Sequence, residues 1–381
     1  MRILVTTSGS AGHLGPLLPF ARAMRDQGDE VLLAVRDEFA GTAARTGFEV
    51  RPFSGGDPAA RAAVFASLGD DLGTDEGNRR ILKELFAGLY AEAAHPGILE
   101  ACAEWRPDVV MTESSAFAGA LAAEQAGIAH VRVAISSPSL EARFMAEAGP
   151  ALEPLRERLG LPSDPAAERL LAAPYLTLAP PSLDGPEPAA APRRFRDAAA
   201  PAAKPLPDWW GGARTPLVYL TLGTVAGSMG FFPGVYRAAV DALAPLDVRV
   251  LVTTGRDADP AELGPLPANV HAERWVDQAS VLPHAAAMVC HGGFGTVLGG
   301  LAAGVPLAVL PLFADQPYNA ARVDALGAGI ALDGPEGSAR AVEALLTEPG
   351  YAARAWAVAD EIRALPPVAE AALAIREYAH A

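Results

Sequence analysis

Two histidines stand beside glycines where they could do chemistry. His291 opens the run His291-Gly292-Gly293-Phe294-Gly295-Thr296, directly after the apolar stretch 287–290. Three glycines let a ligand approach the backbone closely and leave N–H groups pointing outward. A helix continuing through Leu298, Leu301 and Ala302 would add unsatisfied N–H donors and the positive end of its dipole. That field is worth roughly 0.3–1 kcal/mol, and about 2 kcal/mol when partly buried. With the His291 ring and the Thr296 hydroxyl, the run reads as a cradle for a diphosphate. A glycine-rich turn made only for helix–strand packing is the alternative, but it has no need of His and Thr around three glycines. The second histidine, His13, follows Ser8-Gly9-Ser10-Ala11-Gly12. An imidazole with an ordinary pKa of about 6.5 suits removal of a hydroxyl proton near neutrality, worth roughly 10²–10⁴-fold in rate. On local residues alone, a histidine that caps or packs the loop reads equally well.

Further groups could complete a ligand site. Trp275-Val276-Asp277-Gln278 offers an indole for stacking a base and an amide for a ribose hydroxyl; a core Trp is the alternative. Asp315-Gln316, ahead of Asn319, pairs an acid with an amide and so both accepts and donates, which suits a polyol. An N-capping Asp would look the same. Gly223-Thr224 is a weaker phosphate or sugar contact. Asp257-Ala258-Asp259 spells a metal-binding DxD but lies far in sequence from the cradle, and it reads as a solvated charged turn. No required metal and no cofactor are expected.

These residues must be positioned by something, and the pattern is an alternation of short apolar runs with amphipathic stretches, the signature of βαβ units and parallel sheets. Strands are expected at 2–7, 30–35, 48–53, 108–112, 130–135 and 175–179, and again at 217–221, 249–253, 270–273, 287–290, 307–310 and 330–332. The motifs above fall at strand ends, where ligands of such sheets bind. The fold class is α/β with two doubly wound Rossmann-like domains facing a central cleft. The first, 1–200, would bind an acceptor and the second, 205–360, a donor; a final helix in 361–381 could return to the first. A Pro- and Ala-rich stretch, 180–207, reads as the linker. Segments 54–57 and 69–77 read as mobile loops, and 69–77 and the helix-like 140–159 as acceptor walls. At 381 residues two domains are the expectation. The net charge of −15 excludes a nucleic-acid partner and requires a local site for any phosphate. No apolar run is long enough for membrane insertion, no secretory signal is evident and the only cysteines are Cys102 and Cys290, so the chain reads as cytoplasmic.

The run from Trp275 through HGGFGT to ADQ resembles the donor signature of GT-B natural-product glycosyltransferases, most of all the bacterial enzymes that decorate polyketide and other antibiotic aglycones. The stretch Gly12-His13-Leu14-Gly15-Pro16-Leu17-Leu18-Pro19 is similar to that family's catalytic loop. The resemblance implies Trp275 stacked on the base, Val276 bonding it through the backbone and Gln278 on the ribose. It implies His291 with the Phe294, Gly295 and Thr296 amides, beside Gly293, on the diphosphate, and Asp315 with Gln316 on the sugar. His13 would be the base. Relatives pair it with an Asp at the end of a later strand, where this chain has Glu113; a helix cap is that residue's alternative role. Asp277 departs from the Pro of many relatives. The expected reaction is inverting, metal-independent transfer of a (deoxy)sugar from a nucleoside-diphosphate donor, by resemblance a dTDP-sugar, to a small hydrophobic aglycone. An epimerase of the same fold, and an NAD(P)-dependent dehydrogenase using Gly9, Gly12, Gly15 and Asp37, are the rival readings; the glycine spacing is wrong for the latter.

Overall fold

The computed structural model describes residues 1–185, 191–197 and 205–379. They form two compact units, one of Met1–Ala179, Asp184–Ala198 and Pro366–Ala381, the other of Pro180–Leu183 and Ala199–Leu365.

The first unit is built on a seven-stranded sheet. Its strands are β1 (Arg2–Thr6), β2 (Glu30–Arg36), β3 (Glu49–Phe53), β4 (Val109–Glu113), β5 (Ala129–Val133), β6 (Tyr175–Thr177) and β7 (Arg193–Arg194), in the order β3-β2-β1-β4-β5-β6-β7. All pairings are parallel. A parallel sheet is covered on both faces, so its strands are continuous apolar runs rather than alternating ones. Ile3, Leu4 and Val5 in β1 and Val109, Val110 and Met111 in β4 are accordingly all buried. Helix Leu17–Asp26 presents Leu17, Phe20, Ala21 and Met24 to one face. Helices Ala91–Trp105 and Phe117–Ala126 pack Ile98, Ala101, Ala118 and Ala122 on the other. Helix Val368–Ala379 adds Val368, Ala371, Ala372 and Ile375 to the first cluster.

The second unit repeats the arrangement with six strands. These are β8 (Leu217–Thr221), β9 (Arg249–Thr253), β10 (Val270–Glu273), β11 (Ala285–Cys290), β12 (Leu307–Val309) and β13 (Gly329–Ala331), ordered β10-β9-β8-β11-β12-β13 and parallel throughout.

In each sheet the chain lays strands outward to one side, then returns to the middle and continues on the other. The crevices left where the direction reverses lie between β1 and β4 and between β8 and β11, and such switch points are where open α/β sheets bind ligands.

Two expectations need correction. The stretch 180–207 is not a free linker among its described residues. Phe195 is buried in the first core, its N–H donates to Thr177 O at 2.9 Å, and Arg193–Arg194 pairs with β6; an apolar count missed it because a single Phe suffices to anchor an edge strand. Residues 186–190 and 198–204, where the linker was also placed, lie outside the described residues. Segment 69–77 is not a bare loop: a 3₁₀ turn, Gly69–Asp71, leads to helix Asp75–Arg80, whose N-cap Thr74 accepts from Gly77 N. The final helix belongs to the first unit, which the chain rejoins from Pro366, while helix Pro349–Ala364 stays with the second.

Candidate active site

His13 lies in a single helical turn, Ala11–Leu14, directly after β1, and Glu113 is the last residue of β4. The β1–β4 pairing sets the two loops side by side at the first switch point. His13 Nδ1 is 3.1 Å from Glu113 Oε1. The imidazole is 23 % exposed, whereas the carboxylate has no exposure at all. Glu113 does not cap a helix through its side chain; it accepts from Ser8 N at 2.8 Å on Oε1, and from Ser115 N at 2.6 Å and Ser115 Oγ at 2.8 Å on Oε2. Burial alone would push this carboxyl up. The facing His13 charge and hydrogen bond, with the two backbone N–H groups, outweigh it and take the pKa down to about 2. Glu113 is therefore held as a negative charge beside Nδ1 of the His13 ring.

Phe86 stacks on the His13 ring, with centroids 5.5 Å apart at 22°. It comes from Ile81–Tyr90, a ten-residue π-helix. Such helices are rare and concentrate at functional sites. A recess lined by Phe86, Tyr90, Phe117, Arg36 and Ser115 has a volume of about 20 Å³, room for one water. Arg36 also bears on the dinucleotide reading. Its Nη2 donates to Gly9 O at 2.8 Å, and a Cβ on Gly9 would lie 2.4 Å from its Nε. Gly9 thus makes room for an arginine, not for a pyrophosphate.

The other expected residues gather in the second unit, on loops that leave the carboxyl ends of β8, β10, β11 and β12. The His291 ring lies across the second switch point: Cβ atoms placed on Gly223 and Gly293 would come within 2.6 and 2.4 Å of it. Its Nδ1 is buried without a hydrogen-bond partner. Burial lowers its pKa to about 4, so it meets a ligand as a neutral imidazole. Helix Phe294–Ala302 starts beside it. Phe294 and Gly295 N–H, in the first turn, have no intrahelical acceptor. Thr296 N–H differs from expectation: it donates to Gly293 O at 2.9 Å, because the first turn tightens, and only its hydroxyl remains for a ligand.

Trp275 is not a core residue. It is 51 % exposed, with the Arg256 guanidinium 4.4 Å above its ring. Val276 follows it, and the Gln278 amide lies over Gly299, whose added Cβ would be 2.5 Å from Nε2. Thr224 is exposed beside Gly223. Asp315 sits at the N-cap of helix Gln316–Ala325 but makes no side-chain capping bond. Its carboxylate instead accepts from Asn319 Nδ2 at 2.8 Å, and the same nitrogen donates to Gly292 O at 2.9 Å, tying this loop to the glycine run. Gln316 departs from a simple sugar contact. It is 2 % exposed, and its carbonyl oxygen accepts from Leu312 N at 2.8 Å and Phe313 N at 3.0 Å, leaving only its amino end uncommitted to that loop. Asp259, of the DxD run, caps the turn Pro260–Leu263 and pairs with Arg274 at 3.0 Å. Among the described residues no group of three or more His, Cys, Asp or Glu is placed to hold a metal, and no helix is long and apolar enough to cross a membrane.

Sequence reasoning missed Ser8, Ser115, Phe86 and Arg256. Serines and arginines carry no signal by type, and Ser8 reaches Ser115 across 107 positions of sequence. The π-helix that carries Phe86 has no pattern distinct from an α-helix over so short a run.

Residues 22–223 match the N-terminal domain of the erythromycin biosynthesis protein CIII-like family, and residues 237–377 match its C-terminal domain. The chain is 34 % identical to the elloramycin glycosyltransferase of Streptomyces olivaceus, over 98 % of this chain and 96 % of that one. It is 32 % identical to the 4'-demethylrebeccamycin synthase of Lentzea aerocolonigenes, over 97 % of each. In structure it is similar to spinosyn rhamnosyltransferase solved with thymidine diphosphate, with a TM-score of 0.79, 26 % identity, and coverage of 99 % of this chain and 100 % of that one. The epimerase and dehydrogenase readings find no support in these relatives. The chain belongs to the erythromycin biosynthesis protein CIII-like family, and it is a GT-B glycosyltransferase of the kind that serves antibiotic biosynthesis.

Proposed function

We propose that the chain transfers a deoxysugar from a dTDP-sugar to a hydroxyl of a small hydrophobic natural-product aglycone, with inversion and without a metal. The observation that carries the chemistry is the His13–Glu113 pair, an imidazole partly open to solvent whose Nδ1 side faces a buried, ionised carboxylate. The acceptor proton goes to His13 Nε2. The acceptor oxygen forms its bond to the anomeric carbon as the bond from that carbon to the phosphate oxygen breaks, and the electron pair leaves with the nucleoside diphosphate. Charge on the departing diphosphate is met by His291 and by the Phe294 and Gly295 N–H groups at the helix N-terminus. Trp275, Val276 and Gln278 would hold the nucleoside, with Thr224 near the phosphates, and Asp315 and the amino end of Gln316 the sugar. The thymidine diphosphate in the related rhamnosyltransferase supports the nucleotide, and the substrates named for the relatives support the acceptor class.

Purified protein is incubated with dTDP- and UDP-sugars and a panel of aglycones, with and without chelator, and products are read by mass spectrometry and anomeric configuration by NMR. Transfer with inversion in chelator is the expected result. Retention, or transfer abolished by chelator, overturns the mechanism. His13→Ala should slow transfer to an alcohol roughly 10²–10⁴-fold with donor affinity unchanged, and transfer to a phenol by less. Full activity on an aliphatic alcohol would remove His13 as the base.

A further inference from the structure

The resemblance implies an aspartate opposite the catalytic-loop histidine, and this chain has Glu113 there. The extra methylene adds a rotatable bond, and with it poses in which the carboxylate misses the ring. Something must remove that freedom. The carboxylate is gripped at both oxygens. Oε1, which faces His13, takes the Ser8 N–H; Oε2 takes the N–H and the hydroxyl of Ser115 at 2.6 and 2.8 Å. Ser115 Oγ is also 3.1 Å from His13 Nδ1 and 3.3 Å from Ser8 Oγ, which is itself 2.9 Å from Nδ1.

We infer that Ser115 is a positioning residue for the His13–Glu113 pair, locking the longer carboxylate in the pose that reaches the ring and adding its hydroxyl oxygen as a second acceptor beside Nδ1. The inference rests on the reading of His13 as the base. Hydrogen counting supports it. An ionised carboxylate has no proton to give, so the Ser115 hydroxyl hydrogen lies towards Oε2 and its lone pairs face Nδ1. Nδ1 then faces two acceptors, the Glu113 carboxylate and the Ser115 oxygen, which favours the tautomer that carries the ring's hydrogen on Nδ1 and takes a proton on Nε2. Arg36, the charged side chain in the same recess, is committed to Glu38 Oε1 and Gly9 O at 2.8 Å each, so it does not compete for the carboxylate. Ser115 has no structural duty that would explain its placement equally well: the following helix, Phe117–Ala126, has Ala116 at its N-cap and no side-chain cap.

The test compares Ser115→Ala, Ser115→Cys and Ser115→Thr in the full chain, with thymidine diphosphate affinity and melting temperature measured beside kcat and KM. Ser115→Ala is expected to lower kcat for an alcohol acceptor about ten- to hundredfold with donor affinity unchanged. Ser115→Thr, which keeps the hydroxyl, should restore most of it. Ser115→Cys, a weaker donor, should fall between, and it carries the test if the alanine variant does not fold. On a Glu113→Gln background Ser115→Ala should cost less than in the parent, since only the direct contact with His13 Nδ1 is left to lose. Parent-like kcat in folded Ser115→Ala or Ser115→Cys, no rescue by threonine, or an additive loss with Glu113→Gln overturns the inference. His13→Ala keeps the two readings apart: a dead His13→Ala beside a fully active Ser115→Ala sinks only the serine's role, whereas an active His13→Ala sinks the base itself.

Discussion

Glu113 is ionised where burial should have neutralised it, and that leaves a trace in stability as well as in rate. Its folded pKa of about 2 lies below the ordinary 4.5. A depressed carboxylate contributes stability that is full above its unfolded pKa and is lost as pH falls through the folded one. Urea unfolding of the parent and of Glu113→Gln should therefore differ, in the parent's favour, by on the order of 3 kcal/mol at pH 5–6, and the gap should close as pH approaches 2. A gap constant from pH 6 to pH 3 would mean that the carboxylate is not held ionised by its neighbours. His13 and Glu113 could be singled out from the sequence because each stands at the carboxyl end of an apolar run, His13 in the turn after β1 and Glu113 as the last residue of β4. Ser8 and Ser115 could not, because only tertiary contact distinguishes them from any other serine.

At the scale of elements, the donor loops are shaped by what glycine permits. Gly293 has φ −57°, a backbone that alanine adopts freely, and the nearest obstacle to a side chain is the His291 ring, 2.4 Å from an added Cβ. Gly293→Ala should leave melting nearly unchanged but push the ring aside and weaken thymidine diphosphate binding by roughly tenfold or more, as calorimetry would show. Gly223, at φ +83° and 2.6 Å from the same ring, carries both penalties, and Gly223→Ala should lower melting temperature as well. Equal affinity in Gly293→Ala would place the diphosphate away from His291. Ala314, just ahead of Asp315, is held at φ +58° without being a glycine, a strain of order 1–3 kcal/mol that the loop tolerates. Ala314→Gly should raise stability while loosening Asp315, so that kcat or sugar selectivity falls; gains in both would show that the strain has no use. The long strands were legible as runs such as Ile3-Leu4-Val5 and Met288-Val289-Cys290, whose burial on both faces demands them. The two-residue strand Arg193–Arg194 was not, because its pairing comes from neighbours and not from its own side chains.

Across the whole molecule, the same winding occurs twice, and the acidic surface makes each switch point do its work locally. The helix Val368–Ala379 belongs to the first of these units. Val368–Ala379 is tied there by Arg376 to Asp29 at 2.7 Å, Asp29 to the Met1 ammonium at 2.9 Å, Gln27 Nε2 to Ala369 O at 2.7 Å, and Val368 N to Arg196 O at 3.0 Å. Val368 and Ile375 are buried in the first unit's core, where the helix packs on helix Leu17–Asp26 and β5, at about 1.5–3 kcal/mol each, and Ala371 and Ala372 are buried beside them. Against a typical margin of 5–15 kcal/mol, removing all four side chains and the Arg376–Asp29 ion pair is severe. Ending the chain after Leu365 should therefore unfold or greatly loosen residues 1–179 while leaving 205–365 able to bind thymidine diphosphate. Hydrogen exchange would show protection lost in β1, β2 and β4 and kept in β8, β9 and β11, with sugar transfer abolished and nucleotide affinity retained. If both units lost protection together, the two sheets would be one cooperative structure, and the helix would serve the whole chain instead of the sheet it covers.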